Sequence, residues 1–242
     1  MTPALRRRLA WEAAASYRPA GRFARYFALG KLLGDPVFPM ILERGLISSG
    51  ARLLDLGCGQ GLLGAWLLAA RRIYQQGGWP AGLPEPPVLR HYQGIEHRSA
   101  EARRARWALG ADAAAITTGD LLSVRWHEAD VIVLLDVLHY LNPEAQSRVL
   151  RRARVSLSPR GRLLLRVGDA AGGWRHRWSD GVDRAVAGLR GDGWERLHGR
   201  RAEDWEDLLE AQGFCLEALP LRQGFSFTNR CYLAWPRFTA AP

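Results

Sequence analysis

Lysine is almost missing from this chain. Lys31 is the only one, so all the other basic residues among the 34 are arginine. Against 24 acidic residues the balance is a net charge of +10. Such a balance admits nucleic acid or an acidic partner. The arginines are scattered rather than gathered in one tail, however, and an excess of arginine and alanine is typical of a GC-rich coding sequence. Cysteine is scarce too. Cys58, Cys215 and Cys231 show neither a pairable nor a metal-ligand spacing. That excludes a disulfide scaffold and points to a reducing compartment, the cytoplasm. The six histidines lack HxxxH-type spacing, so no metal is expected. No run of 18 apolar residues exists, which excludes a transmembrane helix. Residues 1–8 are charged but lead into no apolar stretch, so no signal peptide is expected. Repeats and low-complexity tracts are absent.

What is present is an ordinary globular composition over 242 residues, 48% hydrophobic and 24% charged. That length suits one domain with room for a cap or lid. Helices are expected over 5–16, 21–33 and 38–44, separated by the breakers Tyr17-Arg18-Pro19-Ala20-Gly21 and Gly34-Asp35-Pro36. An alternating pattern follows. Short apolar runs at 51–56, 89–95, 114–118, 129–135 and 162–167 read as strands. Helices are expected at 61–74, 99–109 and from Asn142 to Leu157, with Asn142 as N-cap and Pro143 at the first helical position. A Gly/Pro-rich loop fills 77–87 and Ser158-Pro159-Arg160-Gly161 is a turn. Strands alternating with helices predict a mostly parallel sheet covered on both faces. Residues 168–201, rich in Trp, Arg and Gly, read as an insert with one helix over 182–189. A helix over 202–212 closed by Gly213, then strands at 214–219 and 229–235, end the chain.

The strongest signal is Arg-Leu-Leu-Asp-Leu-Gly-Cys-Gly-Gln-Gly-Leu-Leu-Gly, residues 52–64. A buried strand ends in a carboxylate, glycines follow at 57, 59 and 61, and a helix begins. α/β sheets bind nucleotides at such strand-to-helix turns. Gly59-x-Gly61-x-x-Gly64 also matches the dinucleotide pattern. Asp55, two residues before the first glycine, argues against a diphosphate there and for a cofactor that carries an ammonium group.

In the frame Asp55-x-Gly57-x-Gly59-x-Gly61 the segment resembles motif I of the class I S-adenosylmethionine-dependent methyltransferases. Further stations carry the resemblance: Gly94-Ile95-Glu96-His97, Thr118-Gly119-Asp120, Asp136-Val137-Leu138-His139-Tyr140-Leu141, and Leu157 to Asp169. They imply a Rossmann-like three-layer sandwich. Its seven-stranded sheet would be mostly parallel, with an antiparallel C-terminal hairpin strand. A helical cap is expected over 1–48, and a methyltransferase domain over 49–242 whose 168–201 insert overhangs the acceptor pocket. The resemblance implies S-adenosylmethionine as cofactor, held by Asp55, Gly57, Cys58, Gly59 and Gly61. It adds Glu96 and His97 at the ribose, Asp120 and Leu121 at the adenine, and Asp136 and Val137 at the methionine moiety. The span from Asp55 to Glu96 is long for the family, and an insertion within 72–92 accounts for it.

Transfer from an activated sulfonium needs alignment and, for an oxygen or nitrogen acceptor, a base. His139 is the candidate base; the other reading is a histidine packed under the following helix. Tyr26, Tyr140, Trp174, Arg175 and Trp178 are the candidate acceptor pocket. A looser similarity, carried by residues 17–38 and 163–170, is to bacterial methyltransferases of polyketide or aryl-polyene pathways. It implies a small aryl or polyketide-type acceptor, presented in one version by an acyl carrier protein. An RNA methyltransferase is the main alternative. Against it, no Asp/Asn-Pro-Pro-Tyr/Phe segment stands at 136–139, no cysteine follows that strand, and no RNA-binding module is evident. A non-catalytic cofactor-binding protein is a further alternative.

Overall fold

The computed structural model describes residues 1–169, 198–221 and 229–237. Three helices open the chain: α1 (Pro3–Ala15), α2 (Arg22–Gly34) and α3 (Val37–Glu43). Thr2 caps α1 by accepting from Leu5 N at 3.2 Å. Then come β1 (Arg52–Leu56), α4 (Leu62–Gln75), β2 (His91–Glu96), α5 (Ser99–Leu109), β3 (Ala115–Thr118), β4 (Ala129–Leu135), α6 (Pro143–Ser156) and β5 (Leu157–Gly168). The described residues end with α7 (Ala202–Ala211), β6 (Phe214–Leu219) and β7 (Asn229–Pro236).

The seven strands form one sheet in the order β3-β2-β1-β4-β5-β7-β6. β7 runs antiparallel to both its neighbours, while the pairings from β3 through β5 are parallel. The antiparallel reversal puts β6 parallel to the rest. Helices cover both faces. On one side α1, α2, α3 and α4 share a core in which Leu9, Tyr17, Leu32 and Trp66 are fully buried. On the other, α6 and α7 bury Val149, Leu150, Trp205 and Leu209 against Ile132, Leu134 and Tyr232. This is the three-layer α/β architecture that the alternating pattern predicts.

Most elements fall where the sequence puts them. The exception is β5, which begins at Leu157 rather than 162. Leu157 pairs with Ala129, after which the register jumps so that Arg162 pairs with Val131. Residues 158–161, expected as a turn, bulge out of the ladder between those pairs. Asn142 caps α6 as expected, accepting from Ala145 N at 2.9 Å, with Pro143 at the first helical position. Trp174, Arg175, Trp178 and the expected 182–189 helix, together with most of the expected insert, lie outside the described residues.

Strand order reverses between β1 and β4, whose neighbours continue outward on opposite sides. A crevice opens at the carboxyl ends of strands at such a switch point.

Candidate active site

A cavity of about 530 Å³ lies at this crevice. Ligand pockets usually hold roughly 300–1,000 Å³. Its floor is the turn that follows β1. Ile95 O accepts from Gly57 N at 2.8 Å and from Cys58 N at 3.1 Å. Glu96 Oε2 accepts from Gly59 N at 2.8 Å, and Oε1 from Arg98 N at 2.9 Å. The end of β2 thus fixes the shape of the glycine turn. Gly57, Gly59 and Gly61 all have positive φ, at 70°, 55° and 80°. A Cβ on Gly57 would strike Val137 on the opposite wall, whereas one on Gly59 would stand in open space. Gly61 serves packing instead. A Cβ there would meet Leu109 at 3.0 Å and Ala105 at 3.1 Å, so this glycine lets α4 approach α5 and does not line the cavity.

Asp55 is buried beneath this floor and accepts from the Tyr92 hydroxyl at 2.6 Å. Burial pushes its carboxyl up to about 7; the Tyr92 hydrogen bond opposes the rise and the nearby Glu96 adds to it. Burial also pushes the Cys58 thiol up, which keeps it from acting as a thiolate.

The structure brings most of the expected residues together. Asp55, Gly57, Cys58, Gly59, Glu96 and His97 line the cavity, as do Asp120, Leu121, Asp136, Val137 and Tyr140. Asp120 also caps its own turn, with Oδ1 accepting from Leu122 N at 2.9 Å. Besides Gly61, two residues depart. Tyr26 is 59% exposed and lies outside the cavity wall. It points off the outer face of α2, whose inner face presents Phe27, Lys31 and Asp35, spaced four apart. His139 lies behind the wall, buried, with its ring 4.2 Å from that of Tyr140. Burial lowers its imidazole to about 4; Asp136 opposes this and Arg166 adds to it. Of the two readings of His139, packing under the following helix is the one this placement supports.

Several wall residues escape sequence reading. Gln60 is buried; its Nε2 donates to Ala24 O of α2 at 3.2 Å, while its Oε1 has no hydrogen-bond partner among the described residues. Tyr17 donates to Gln60 O at 2.8 Å. Arg166 of β5 donates through Nε to Asp136 Oδ1 at 2.9 Å and through Nη1 to Asp35. A charge inside the apolar run Leu163 to Val167 is the one available signal for it. The wall segment 138–141 is pinned from behind by Gln146, whose Nε2 donates to the carbonyls of Leu138, Leu141 and His198.

The arrangement fits an adenosyl amino acid. Gly59 leaves open space where a ligand can approach the backbone closely, and the adjoining Gln60 holds a buried Oε1 with no hydrogen-bond partner among the described residues. Carboxylates stand at the ends of β1, β2 and β4 or just past them.

Comparison with known proteins agrees. A family model described as a methyltransferase domain matches residues 37–219. A carboxy-S-adenosyl-L-methionine synthase of Chromohalobacter salexigens is 33% identical over 141 residues. That match covers 56% of this chain and 46% of the synthase, about half the length of that relative. Among solved structures, magnesium protoporphyrin IX methyltransferase (ChlM) from Synechocystis PCC 6803, with bound S-adenosylhomocysteine, superposes with a TM-score of 0.56 at 18% identity. It covers 97% of this chain and 99% of its own. The mitomycin 7-O-methyltransferase MmcR gives a TM-score of 0.56 at 21% identity, covering 94% of this chain and 67% of its own. At these identities the likeness to solved structures is one of fold. The chain belongs to the methyltransferase-domain family. It is a class I, Rossmann-like protein whose cofactor is S-adenosylmethionine.

Proposed function

We propose that this protein transfers the methyl group of S-adenosylmethionine to a small organic acceptor of aryl or polyketide type. The observation that carries the reading is the division of the cavity wall. Carboxylates and glycines form the floor, while Phe27, Phe38, Tyr140 and Leu141 supply an apolar side. Flat apolar walls suit an aromatic acceptor.

When bound, the cofactor supplies a methyl already activated on a sulfonium. The chain's own residues bind and align. Asp55, as a carboxylate, accepts from the ammonium. Glu96 uses one site on each oxygen for Gly59 and Arg98, and a carboxylate has further lone pairs for two ribose hydroxyls. Asp120 and the Leu121 amide meet the adenine, and Asp136 and Val137 line the methionine moiety. Alignment of acceptor and methyl in a water-poor cavity supplies the rate, an effect worth about 7–11 kcal/mol at its upper range. His139, behind the wall, takes no proton in this scheme. A phenol, or a ring carbon after the methyl has joined it, releases one proton to solvent; an acceptor already ionised as a phenolate releases none.

A second reading, RNA methylation, draws on one surface observation. Trp11, Phe23, Tyr26 and Trp107 are exposed and each lies against a guanidinium of Arg25, Arg104 or Arg103. The same face would suit an acidic carrier protein. Radiolabelled S-adenosylmethionine with a panel of phenolic acids, carrier-bound aryl acids and bulk RNA tests these directly. Label in a free or carrier-bound aryl acid supports the proposal; label in RNA alone would replace it.

A further inference from the structure

We infer that Arg166 is a positioning residue that couples the helical cap to the methionine end of the cavity. The inference rests on the cofactor assignment above. Arg166 stands in β5 among Leu163, Leu164, Leu165 and Val167, all buried, and its own side chain is 6% exposed. One guanidinium there serves two carboxylates from distant parts of the chain. Nε donates to Asp136 Oδ1 at 2.9 Å and Nη2 to Asp136 Oδ2, a two-pronged pairing. Nη1 donates to Asp35 Oδ1. The backbone repeats the link, with Asp136 N donating to Arg166 O at 3.0 Å.

Each partner is held in a state that needs holding. Asp136 is the one non-glycine residue with positive φ among those described, at 60°. A side chain adopts that backbone only where its surroundings fix it. Asp35 closes α2, and its Oδ1 also accepts from Val37 N at 3.0 Å, which sets the turn into α3. The cap's other hydrogen bonds and ion pairs to the rest of the described chain go to α4, to Gln76 at its end or to the turn after β1, through Arg8, Glu12, Tyr17, Ala24 and Phe38. Asp35 to Arg166 is the hydrogen bond that reaches β4 or β5.

Charge completes the argument. Two carboxylates against one guanidinium leave the trio itself with one negative charge, and Lys31 of α2 lines the same cavity and acts on Asp35. Without the guanidinium, two half-buried carboxylates would face each other and push the cap outward. With it, docking of α2 and the set of Asp136 depend on the same side chain.

Amide hydrogen exchange and calorimetric titration with S-adenosylhomocysteine test the coupling, on the full chain as wild type, Asp35→Asn, Asp136→Asn, the double variant and Arg166→Lys. In the wild type the ligand should slow exchange in both 57–61 and 22–34. Asp35→Asn should keep the slowing at 57–61, lose it at 22–34, and weaken affinity about tenfold, within the usual span of coupled sites. The double variant should lose less than the product of the single losses. Arg166→Lys keeps the charge but not the fork, and should speed exchange in 22–34 and 136–141 together even without ligand. Wild-type affinity and wild-type protection of α2 in Asp35→Asn, or single losses that simply multiply, would overturn the coupling. If the wild type bound no S-adenosylhomocysteine, the cofactor assignment would fail separately. The ligand-free comparison would still decide: α2 exchange unmoved by Arg166→Lys would overturn the inference.

Discussion

The Tyr92 hydroxyl donates a 2.6 Å hydrogen bond to Asp55 Oδ2 beneath the glycine turn. Tyr92 stands on β2 opposite Leu53, two positions before the register reaches Asp55 and Gly94. The carboxylate proposed to meet the cofactor's ammonium is thus aimed by the neighbouring strand. It is also starved of water, and burial lifts its carboxyl to about 7.

Cofactor affinity should therefore depend on pH. The free protein carries Asp55 protonated below about 7, and the ammonium needs it ionised. Affinity for S-adenosylhomocysteine should rise about tenfold per pH unit from roughly pH 5 to 7 and level off above. Calorimetry across that range checks it. In Asp55→Asn the slope should vanish along with most of the affinity.

Stability should run the other way. Asp55's folded value lies above the unfolded one, so the native state holds the extra proton between about pH 4 and 7. Stability of the ligand-free protein falls as pH rises through that window, by up to about 4 kcal/mol from this group. Asp55→Asn should remove the fall and raise the melting temperature above pH 7 while it impairs binding.

Two glycine substitutions should separate folding from binding. Gly57→Ala meets both a positive φ and Val137, so it should destabilise by about 2–4 kcal/mol, conformational cost and overpacking together. Gly59→Ala meets the positive φ alone, costs about 1–2 kcal/mol, and projects a methyl into the room the ligand needs. Denaturant midpoints should rank Gly57→Ala as the less stable. Affinity per folded molecule should fall in Gly59→Ala.

His139→Asn should leave the shape of the pH–rate profile unchanged. The imidazole is buried behind the wall and held near 4. Any loss of turnover should be uniform with pH and track lost packing against Tyr140. Loss of a limb between pH 6 and 7 would restore His139 as a base.

The fold is largely legible in the sequence because apolar runs and glycine breaks mark each strand and helix locally. The start of β5 is not, because its register jump depends on β4, which no local pattern encodes. In the site, the motif residues from Asp55 to Val137 are legible in order, since each stands at or just past the end of a strand. Tyr26 is not, because one residue step along a helix turns a side chain by about 100°, and periodicity alone does not say which face meets the cavity. Tyr92, Gln60 and Asp35 are hidden because their roles arise from partners 37, 36 and 131 residues away.

The central claim is that the Asp55–Gly61 turn grips an adenosyl amino acid through its leading carboxylate. Titrating S-adenosylhomocysteine and NAD in parallel into the wild type and Asp55→Ala tests it most directly. The account predicts that the wild type binds S-adenosylhomocysteine and not NAD, and that Asp55→Ala binds neither. Binding of NAD alone, or unchanged S-adenosylhomocysteine affinity in Asp55→Ala, would contradict it.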